Sequence, residues 1–428
     1  MKFILISSLI CILNIAEAAS FVSKNIDQEY EVAIEISKKF QKGVLSKEQA
    51  NEILIATFSD YSHRDGKEAT VTQFVQKTTG IENLILYGSS EQRGWSGSEV
   101  YSIQTEETEE VQFFLKIFPY DSKHYLPEIF GLSLMREVKE VECPKICAFG
   151  QCFINENRYF LVLETPVKGM SIQQYFIQVG QYQIGSKARK EAFEELCKAV
   201  QSSGTGLAKL HTYLPNKKQS FPKDAEEAMR KDLNSAIEEL TYQPKSGIDI
   251  EKLQAYTEHV LQKMKAHEHL IGLAYDDIKT IHTFYDHKTK QFSLVNPDRL
   301  YFSFDSEGEV QGLPTKDVCK YILSLTLNRF QYFLHENQAV SKKELLTEEE
   351  IKIVINLFEL GYLQGGGILP TSIEKEYSFL QHDLFFIKNS RRDFPEPEST
   401  RVKDLINISV ENIKLQLTKT NVSLSLKE

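Results

Sequence analysis

The N-terminal part of the chain alternates apolar and polar residues with a helical period. Between residues 20 and 60, the apolar positions that share one helix face are Tyr30, Ala33, Ile34, Ile36 and Phe40. Gly43 ends this segment, and Leu45-Ser46 followed by Glu48 is typical of the start of a second helix. With a further short helix around residues 71–77, the pattern predicts a helical N-terminal extension over residues 19–80.

Short apolar runs follow, and their length and boundaries are typical of β-strands. They are Leu84–Tyr87, Val111–Phe118, a run around Ala148-Phe149-Gly150, and Tyr159–Leu163. A helical pattern from Leu126 to Val138 lies among them. Residues 81–168 are therefore predicted to form a small antiparallel-sheet lobe that includes one helix.

The rest of the chain is mainly helical in pattern. A strand pair, Thr283–Tyr285 and Gln291–Val295, interrupts it. The helical segments are Ala192–Thr212, the charged stretch Lys217–Met264, Ile322–Leu334 and Glu348–Leu360. We predict an α+β protein with two lobes, in which residues 169–392 form the larger helical lobe and residues 393–428 form a tail.

The charge of the chain argues against polyanionic partners. The 428 residues include 50 basic and 60 acidic side chains, for a net charge of −10. No long run of a single sign occurs, so we do not expect a nucleic acid or an anionic membrane as the general partner.

The first eighteen residues have the pattern of a secretory signal peptide. Met1–Ala18 contains one early lysine, an apolar core from Phe3 to Ile15, and the small-x-small sequence Ala16-Glu17-Ala18. The apolar run is too short for an ordinary membrane span, and no later stretch is apolar enough for one. The sequence predicts a secreted protein without a transmembrane segment; the alternative is a retained amphipathic or anchoring helix.

Five cysteines follow this leader: Cys143, Cys147, Cys152, Cys197 and Cys319. They are too few for a disulfide framework, and their odd number leaves at least one thiol free. Three of them lie in CPKICAFGQC, where separate packed cysteines, one disulfide and a zinc site are the alternatives.

The stretch Leu273–Leu300 carries the candidate chemistry. Asp277 is followed five positions later by His282, then by the strand pair, and then by Asn296. This spacing, with Asp298-Arg299-Leu300 behind it, resembles the aminoglycoside phosphotransferase and choline kinase family, whose pattern is close to HGDLHxxNxxxD followed by a strand and an Asp. The resemblance implies a protein-kinase-like fold in which Asp277 is the catalytic Asp that positions an acceptor hydroxyl. The alternative is an ordinary turn before a hairpin.

Two earlier segments match the nucleotide-binding elements of that family in order. Gly94, Ser96, Gly97 and Ser98 lie in a turn between two strands, whose backbone N–H groups can approach a phosphate closely. The resemblance implies that this turn covers ATP. It also implies that Lys116, the only charged residue in VQFFLKIF, reaches the α- and β-phosphates.

The next helix supplies the expected partner of that lysine. Glu128 near its start is our choice for the ion pair, with Glu137 as the second candidate. Glu164-Thr165-Pro166 then resembles the crossing between lobes, where the backbone of Glu164 and Pro166 is expected beside the adenine. Gly206–His211 resembles the family's LAxLH segment, with His211 buried. Asp317 resembles the Asp that braces the catalytic loop.

The metal positions depart from the family pattern. His282 stands where the family has a metal-holding Asn, and Asn296 stands where it has a metal-holding Asp. Mg²⁺ prefers hard oxygen ligands, so this replacement weakens the expected site; an imidazole is a better ligand for Mn²⁺.

The resemblance, with these departures from it, implies two alternative functions. One is a secreted phosphotransferase that uses ATP, with impaired or unusual metal use, on a small-molecule acceptor. The other is a pseudokinase that keeps the nucleotide site and acts as a secreted binding or regulatory module for a small molecule or a protein partner.

Overall fold

The computed structural model describes residues 28–63, 65–88, 98–242, 247–335, 340–391 and 398–425, apart from the side chains of residues 109 and 420–425. The predicted signal peptide and three residues of the glycine-rich turn, Gly94, Ser96 and Gly97, lie outside this part of the chain. Two compact units are present. The first contains Met1–Val167 and Leu294–Glu309, and the second contains Lys168–Ser293 and Val310–Glu428.

An antiparallel sheet forms the centre of the first unit. Its strands, in spatial order β1-β2-β3-β5-β4, are β1 (Leu84–Gly88), β2 (Glu99–Thr105), β3 (Thr108–Pro119), β5 (Asn157–Glu164) and β4 (Ile146–Ile154). Alternate residues of β3 point to opposite faces. Leu115 and Ile117 belong to one apolar cluster and Phe118 belongs to another. Because both faces are covered, β3 is an almost unbroken apolar run.

Helices cover both faces of this sheet. They are α1 (residues 28–41), α2 (Lys47–Thr57), α3 (Lys67–Thr79) and α4 (Tyr125–Met135). Helix α2 starts with a capping box between Ser46 and Gln49. Residues of α1, α2 and α4 share one cluster with Phe118, Phe149 and Phe160, whereas α3 belongs to the other. The helices predicted in this region are present from residue 28 onward, and they form part of the core of this unit.

The second unit is mainly helical. Its short strands are β6 (Met170–Ser171), β7 (Lys217–Ser220), β8 (Glu268–Ile271), β9 (Thr283–Asp286), β10 (Gln291–Leu294), β11 (Phe330–Leu334) and β12 (Val340–Glu344). The helices are α5 (Ile172–Gln181), α6 (Lys187–Thr212), α7 (Lys223–Tyr242), α8 (Ile250–Lys265), α9 (Pro314–Leu327), α10 (Glu348–Gln364), α11 (Ser372–Lys388) and α12 (Glu398–Ser425). Among the described helices, none combines the length and the apolar composition that a membrane span requires.

Helices α6 and α10 approach each other very closely. A Cβ atom at Gly204 would lie 2.3 Å from the carbonyl oxygen of Phe358, and one at Gly361 would lie 2.1 Å from that of Gln201. Only glycine fits at these positions, so the two backbones pack directly. A second core, built from α7, α8, α11 and α12, includes Leu253, Val260, Leu384 and Ile413.

Two predicted helices differ from the structure. The segment Ile322–Leu334 is helical only to Leu327, and Phe330–Leu334 pairs with Val340–Glu344 as β11 and β12. The stretch Lys217–Met264 begins with strand β7, which pairs with β8. Both errors have one cause: a run of four or five residues carries too little periodicity to distinguish a strand from a helix, and pairing with a distant segment decides.

The five described cysteines are free thiols. Burial raises the pKa of Cys143, Cys152 and Cys319 to about 12. It raises the pKa of Cys147 and Cys197 to about 11. Of the alternatives that the sequence left open, separate packed cysteines are the ones present, and such protonated thiols are poor nucleophiles.

Candidate functional site

Lys116 is buried in the first unit and forms the predicted ion pair. It lies on β3 and is only 7% exposed. Its Nζ donates to Oε1 of Glu128, in the first turn of α4, at 2.5 Å. Glu137, the second candidate, lies 3.8 Å from Lys38 instead. The predicted pairing of Lys116 with Glu128 is confirmed, while its role towards a nucleotide stays a prediction.

Two further groups accept hydrogen bonds from the same ammonium. Oε2 of Glu164, at the end of β5, lies 3.1 Å from Nζ. Oδ1 of Asn296 lies 3.2 Å from it. Sequence reasoning gave Glu164 a backbone role only, because its side-chain contact depends on the pairing of β3 with β5, in which Lys116 lies opposite Val162 and Phe114 lies opposite Glu164.

The charges of this cluster shift one another. Burial raises the pKa of Glu128 to about 7; Lys116 opposes the shift, and the carboxylates of Glu164 and Asp298 add to it. Burial also raises the pKa of Glu164, against the effect of Lys116. For Lys116 itself, burial acts to lower the pKa, but the charges of Glu128 and Glu164 together raise it above its ordinary value. The lysine stays protonated, whereas each carboxylate is held in an unfavourable environment.

Asn296 lies where the backbone turns sharply. It has a φ of +61° and immediately precedes a 3-10 helix, Pro297–Ser303. Asp298, two residues on, pairs with Nδ1 of His124 at 2.9 Å. Sequence reasoning missed His124, which lies at the N-cap position of α4 without a side-chain capping hydrogen bond and carries no local signal of its contact with Asp298.

In the second unit, Asp317 braces the loop that carries Asp277. Its Oδ1 accepts from the backbone N–H of Asp276 at 2.8 Å, and its Oδ2 accepts from that of Tyr275. Nε2 of His211 lies 3.1 Å from the same carboxylate, and Nδ1 of His211 lies 2.7 Å from the Tyr362 hydroxyl. His211 and Asp317 are both buried. The predicted brace and the predicted buried histidine are confirmed.

Lysines neutralise the acidic residues of this loop. Asp276 has a φ of +61°, and Lys316 and Lys320 lie 2.9 and 3.0 Å from its Oδ1. Burial acts to raise the pKa of Asp276, but these two lysines hold it well below its usual range. Asp277 pairs with Lys279 at 2.8 Å. Sequence reasoning missed all three lysines; Lys316 and Lys320 are four apart on α9 and so share a face of that helix.

The predicted metal positions do not fit a hard dication. His282 turns its Nδ1 to the carbonyl oxygen of Asp277 at 3.0 Å, within the second unit. Asn296, in the first unit, offers a neutral amide oxygen that already accepts from Lys116. In the described residues no group of three His, Cys, Asp or Glu side chains could hold a metal ion.

The remaining predicted positions are only partly described. Ser98 is buried at the end of the glycine-rich turn, while Gly94, Ser96 and Gly97 lie outside the described residues. Pro166 follows β5 two residues after Glu164, near the end of the first unit. The structure brings Lys116, Glu128, Glu164 and Asn296 together in the first unit, and it brings Asp277 and His282 together in the second.

Comparison with solved structures identifies the fold. The chain is similar to a glucosamine kinase in complex with glucosamine, ADP and inorganic phosphate, with a TM-score of 0.51 and 11% identity, over 84% of this chain and 89% of that one. An ethanolamine kinase of Plasmodium vivax matches with a TM-score of 0.47 and 10% identity over 84% and 93% of the two chains. A macrolide 2'-phosphotransferase type I matches with a TM-score of 0.40 and 12% identity over 81% and 97%.

No family model and no curated protein matches the sequence. At such low identity the similarity to the glucosamine kinase is a similarity of fold. The predicted α+β organisation, with an antiparallel-sheet unit and a mainly helical unit, is confirmed. So is the kinase-like fold that the resemblance to aminoglycoside phosphotransferases and choline kinases implied.

Proposed function

We propose that this chain, which has a kinase-like fold, binds ATP and transfers its terminal phosphoryl group to a small-molecule hydroxyl. The observation that carries the proposal is the buried ion pair between Lys116 and Glu128. In kinases a lysine held by a glutamate presents its charge to the α- and β-phosphates. The similar glucosamine kinase, solved with ADP, supports a nucleotide as the ligand.

Asp277 is assigned two tasks: it positions the acceptor hydroxyl and accepts the proton of that hydroxyl. The acceptor hydroxyl oxygen attacks the γ-phosphorus, the bond from that phosphorus to the bridging oxygen breaks, ADP leaves, and the hydroxyl proton passes to the Asp277 carboxylate. Asp317 supports this assignment, because its carboxylate accepts hydrogen bonds from the backbone N–H groups of Tyr275 and Asp276, the two residues before Asp277. Phosphoryl transfer depends mainly on positioning and charge neutralisation, so the weak metal donors predict a slow enzyme.

The second candidate function is a pseudokinase that binds a nucleotide or a protein partner without catalysis. The observation that favours it is Asn296, whose neutral amide oxygen accepts from Lys116 in place of a carboxylate that would hold a metal. The position of His282 points the same way, because its Nδ1 is directed to a carbonyl oxygen of its own loop.

We further propose that the protein is exported. The support is the sequence of Met1–Ala18, with its early lysine, its apolar core and its small-x-small end. Fusion of this segment to a reporter enzyme, with export measured against a fusion that lacks the apolar core, tests the proposal directly.

Thermal melting of the purified protein tests the function. We expect ATP to raise the melting temperature, because a ligand that binds only the folded state stabilises it. Mn²⁺ should add more to this effect than Mg²⁺, since imidazole suits the softer ion. Transfer to a panel of sugars and amino alcohols is then measured by ADP release.

Two substitutions test whether ATP binds at Lys116, and the pattern of outcomes separates the two functions. Lys116→Met should abolish the ATP effect, whereas Lys139→Met, a change at an exposed lysine of the same unit, should keep it. Stabilisation by ATP without any metal effect, and no ADP release, would establish the pseudokinase. No response to ATP under any condition would refute both functions.

A further inference from the structure

The ammonium group of Lys116 has no hydrogen-bond donor left over for a ligand. A lysine carries three N–H donors. In this structure Glu128, Glu164 and Asn296 lie 2.5, 3.1 and 3.2 Å from Nζ and can accept one bond each. A phosphate oxygen that is to contact Lys116 must therefore displace one of these acceptors.

The three acceptors differ in whether the kinase-like fold or their charge explains their place beside Lys116. Glu128 gives the pairing that a kinase-like fold requires, and Asn296 is neutral. Glu164 is different, because it adds a second carboxylate to a lysine that one carboxylate already neutralises. When both glutamates are ionised, this group of three charged side chains has a net charge of −1.

Glu164 is also costly to keep in its place. Its backbone is fixed between two strands, opposite Phe114 of β3 and Ile146 of β4. The residue is only 2% exposed, and within the described part of the chain no group donates a hydrogen bond to its Oε1. A buried oxygen without a donor is destabilising. The three residues before Glu164 on β5, Leu161, Val162 and Leu163, are apolar. Packing of the strand alone would favour an apolar residue at position 164 as well, so packing does not explain this carboxylate.

We propose that Glu164 is a specificity-determining residue that competes with phosphate groups for Lys116 and so lowers the affinity for ATP. The inference rests on the proposed function, because it concerns the same lysine. Its chemical content is charge: Glu164 disfavours an anionic ligand at Nζ and leaves the binding of an uncharged nucleoside untouched. A residue with a structural role only would not distinguish these two ligands.

Glu164→Gln tests the proposal, because it removes the charge and keeps the shape. Dissociation constants of ATP and adenosine are measured by calorimetry, at one ionic strength and with a chelator present. We expect ATP to bind about tenfold more tightly to the variant, the ratio expected when one charge-assisted hydrogen bond no longer competes. Adenosine should bind the variant and the wild type equally.

Glu29→Gln is the matched control. Glu29 is another buried glutamate of the first unit, and its Oε1 accepts from the backbone and the hydroxyl of Ser59 at 3.0 and 2.8 Å. This substitution should change neither dissociation constant. Glu164→Met provides a second variant, which lacks both the charge and the unpartnered oxygen, in case the glutamine does not fold.

The outcomes are distinguishable. Tighter ATP binding in either Glu164 variant, with adenosine unchanged, supports the inference. Equal or weaker ATP binding in the folded variants, beside a wild type that binds ATP, overturns the role of Glu164 and leaves the proposed function standing. A wild type and variants that all fail to bind ATP overturn both.

Discussion

Asp317 shows how much one carboxylate can hold together. It accepts from the backbone N–H groups of Tyr275 and Asp276 and contacts Nε2 of His211. These groups lie more than forty residues away from it in sequence. The residue is fully buried, so water does not replace it when it is lost. The geometry of the loop that carries Asp277 therefore depends on this side chain.

Asp317→Ala should lower the free energy of unfolding by roughly 3 kcal/mol or more, because it leaves several buried donors unpaired. Denaturant titration measures the change. Asp305→Ala is the matched control, since Asp305 also accepts from two backbone N–H groups, those of Glu307 and Glu309, but in an exposed turn where water can replace it. Equal losses in both variants would contradict the bracing role.

At the scale of elements, the N-terminal helices are part of the core of the first unit. Helix α2 contributes Ala50 and Leu54 to the apolar cluster that also contains Leu126 and Ile129 of α4. Nδ2 of Asn51 donates to the carbonyl oxygen of Tyr120, in the segment that leads to α4, at 3.0 Å. Because α4 carries Glu128, the extension holds in place the helix that positions Lys116.

Leu54→Ala should cost about 3 kcal/mol of stability, the usual effect of a cavity left by a fully buried leucine. Ile53→Ala is the control on the same helix, because Ile53 is 37% exposed whereas Leu54 is not exposed at all. It should change stability by no more than about 0.5 kcal/mol. Calorimetric melting of both variants provides the comparison, and a harmless Leu54→Ala would show that the extension is not a core element.

At the scale of the whole molecule, the fold and the side chains at the predicted metal positions favour different functions. The fold is kinase-like, yet the positions where the related pattern has an amide and a carboxylate for the metal hold His282 and Asn296. Function depends on these sites and not on the fold that carries them. The same chain can therefore keep a kinase-like architecture and have little or no phosphoryl transfer.

The double variant His282→Asn, Asn296→Asp should gain ATP turnover in the presence of Mg²⁺. Oxygen donors at positions 282 and 296 would hold Mg²⁺ better, and the bound ion would supply charge neutralisation, an effect large enough to raise the rate by about tenfold or more. ADP release with the best acceptor measures it. Asn83→Asp, which adds the same charge at an exposed site of the first unit, should have no effect. An inactive double variant would show that more than the metal donors has been lost.

The parts of the site that the sequence could predict are those with a local pattern. Lys116 stands out because it interrupts an apolar strand, and Glu128 because it opens the next helix. Asp317 is predicted through its resemblance to the family's Asp that opens the next helix and braces the catalytic loop. The side chain of Glu164, and the pairing of His124 with Asp298, were not predictable, since each partner belongs to a different segment of the chain. Strand β11 was missed for the same reason.

The sequence alone determined the order of the main strands of the first unit and of the longer helices, and the chemical types at the key positions, because hydrophobic period and residue identity act over a few neighbours. Only the tertiary structure decided that one ammonium group has three acceptors, and that the acidic residues of the Asp277 loop are paired with lysines. Such partners are set by which strands pair and which helices pack, and those contacts join residues far apart along the chain.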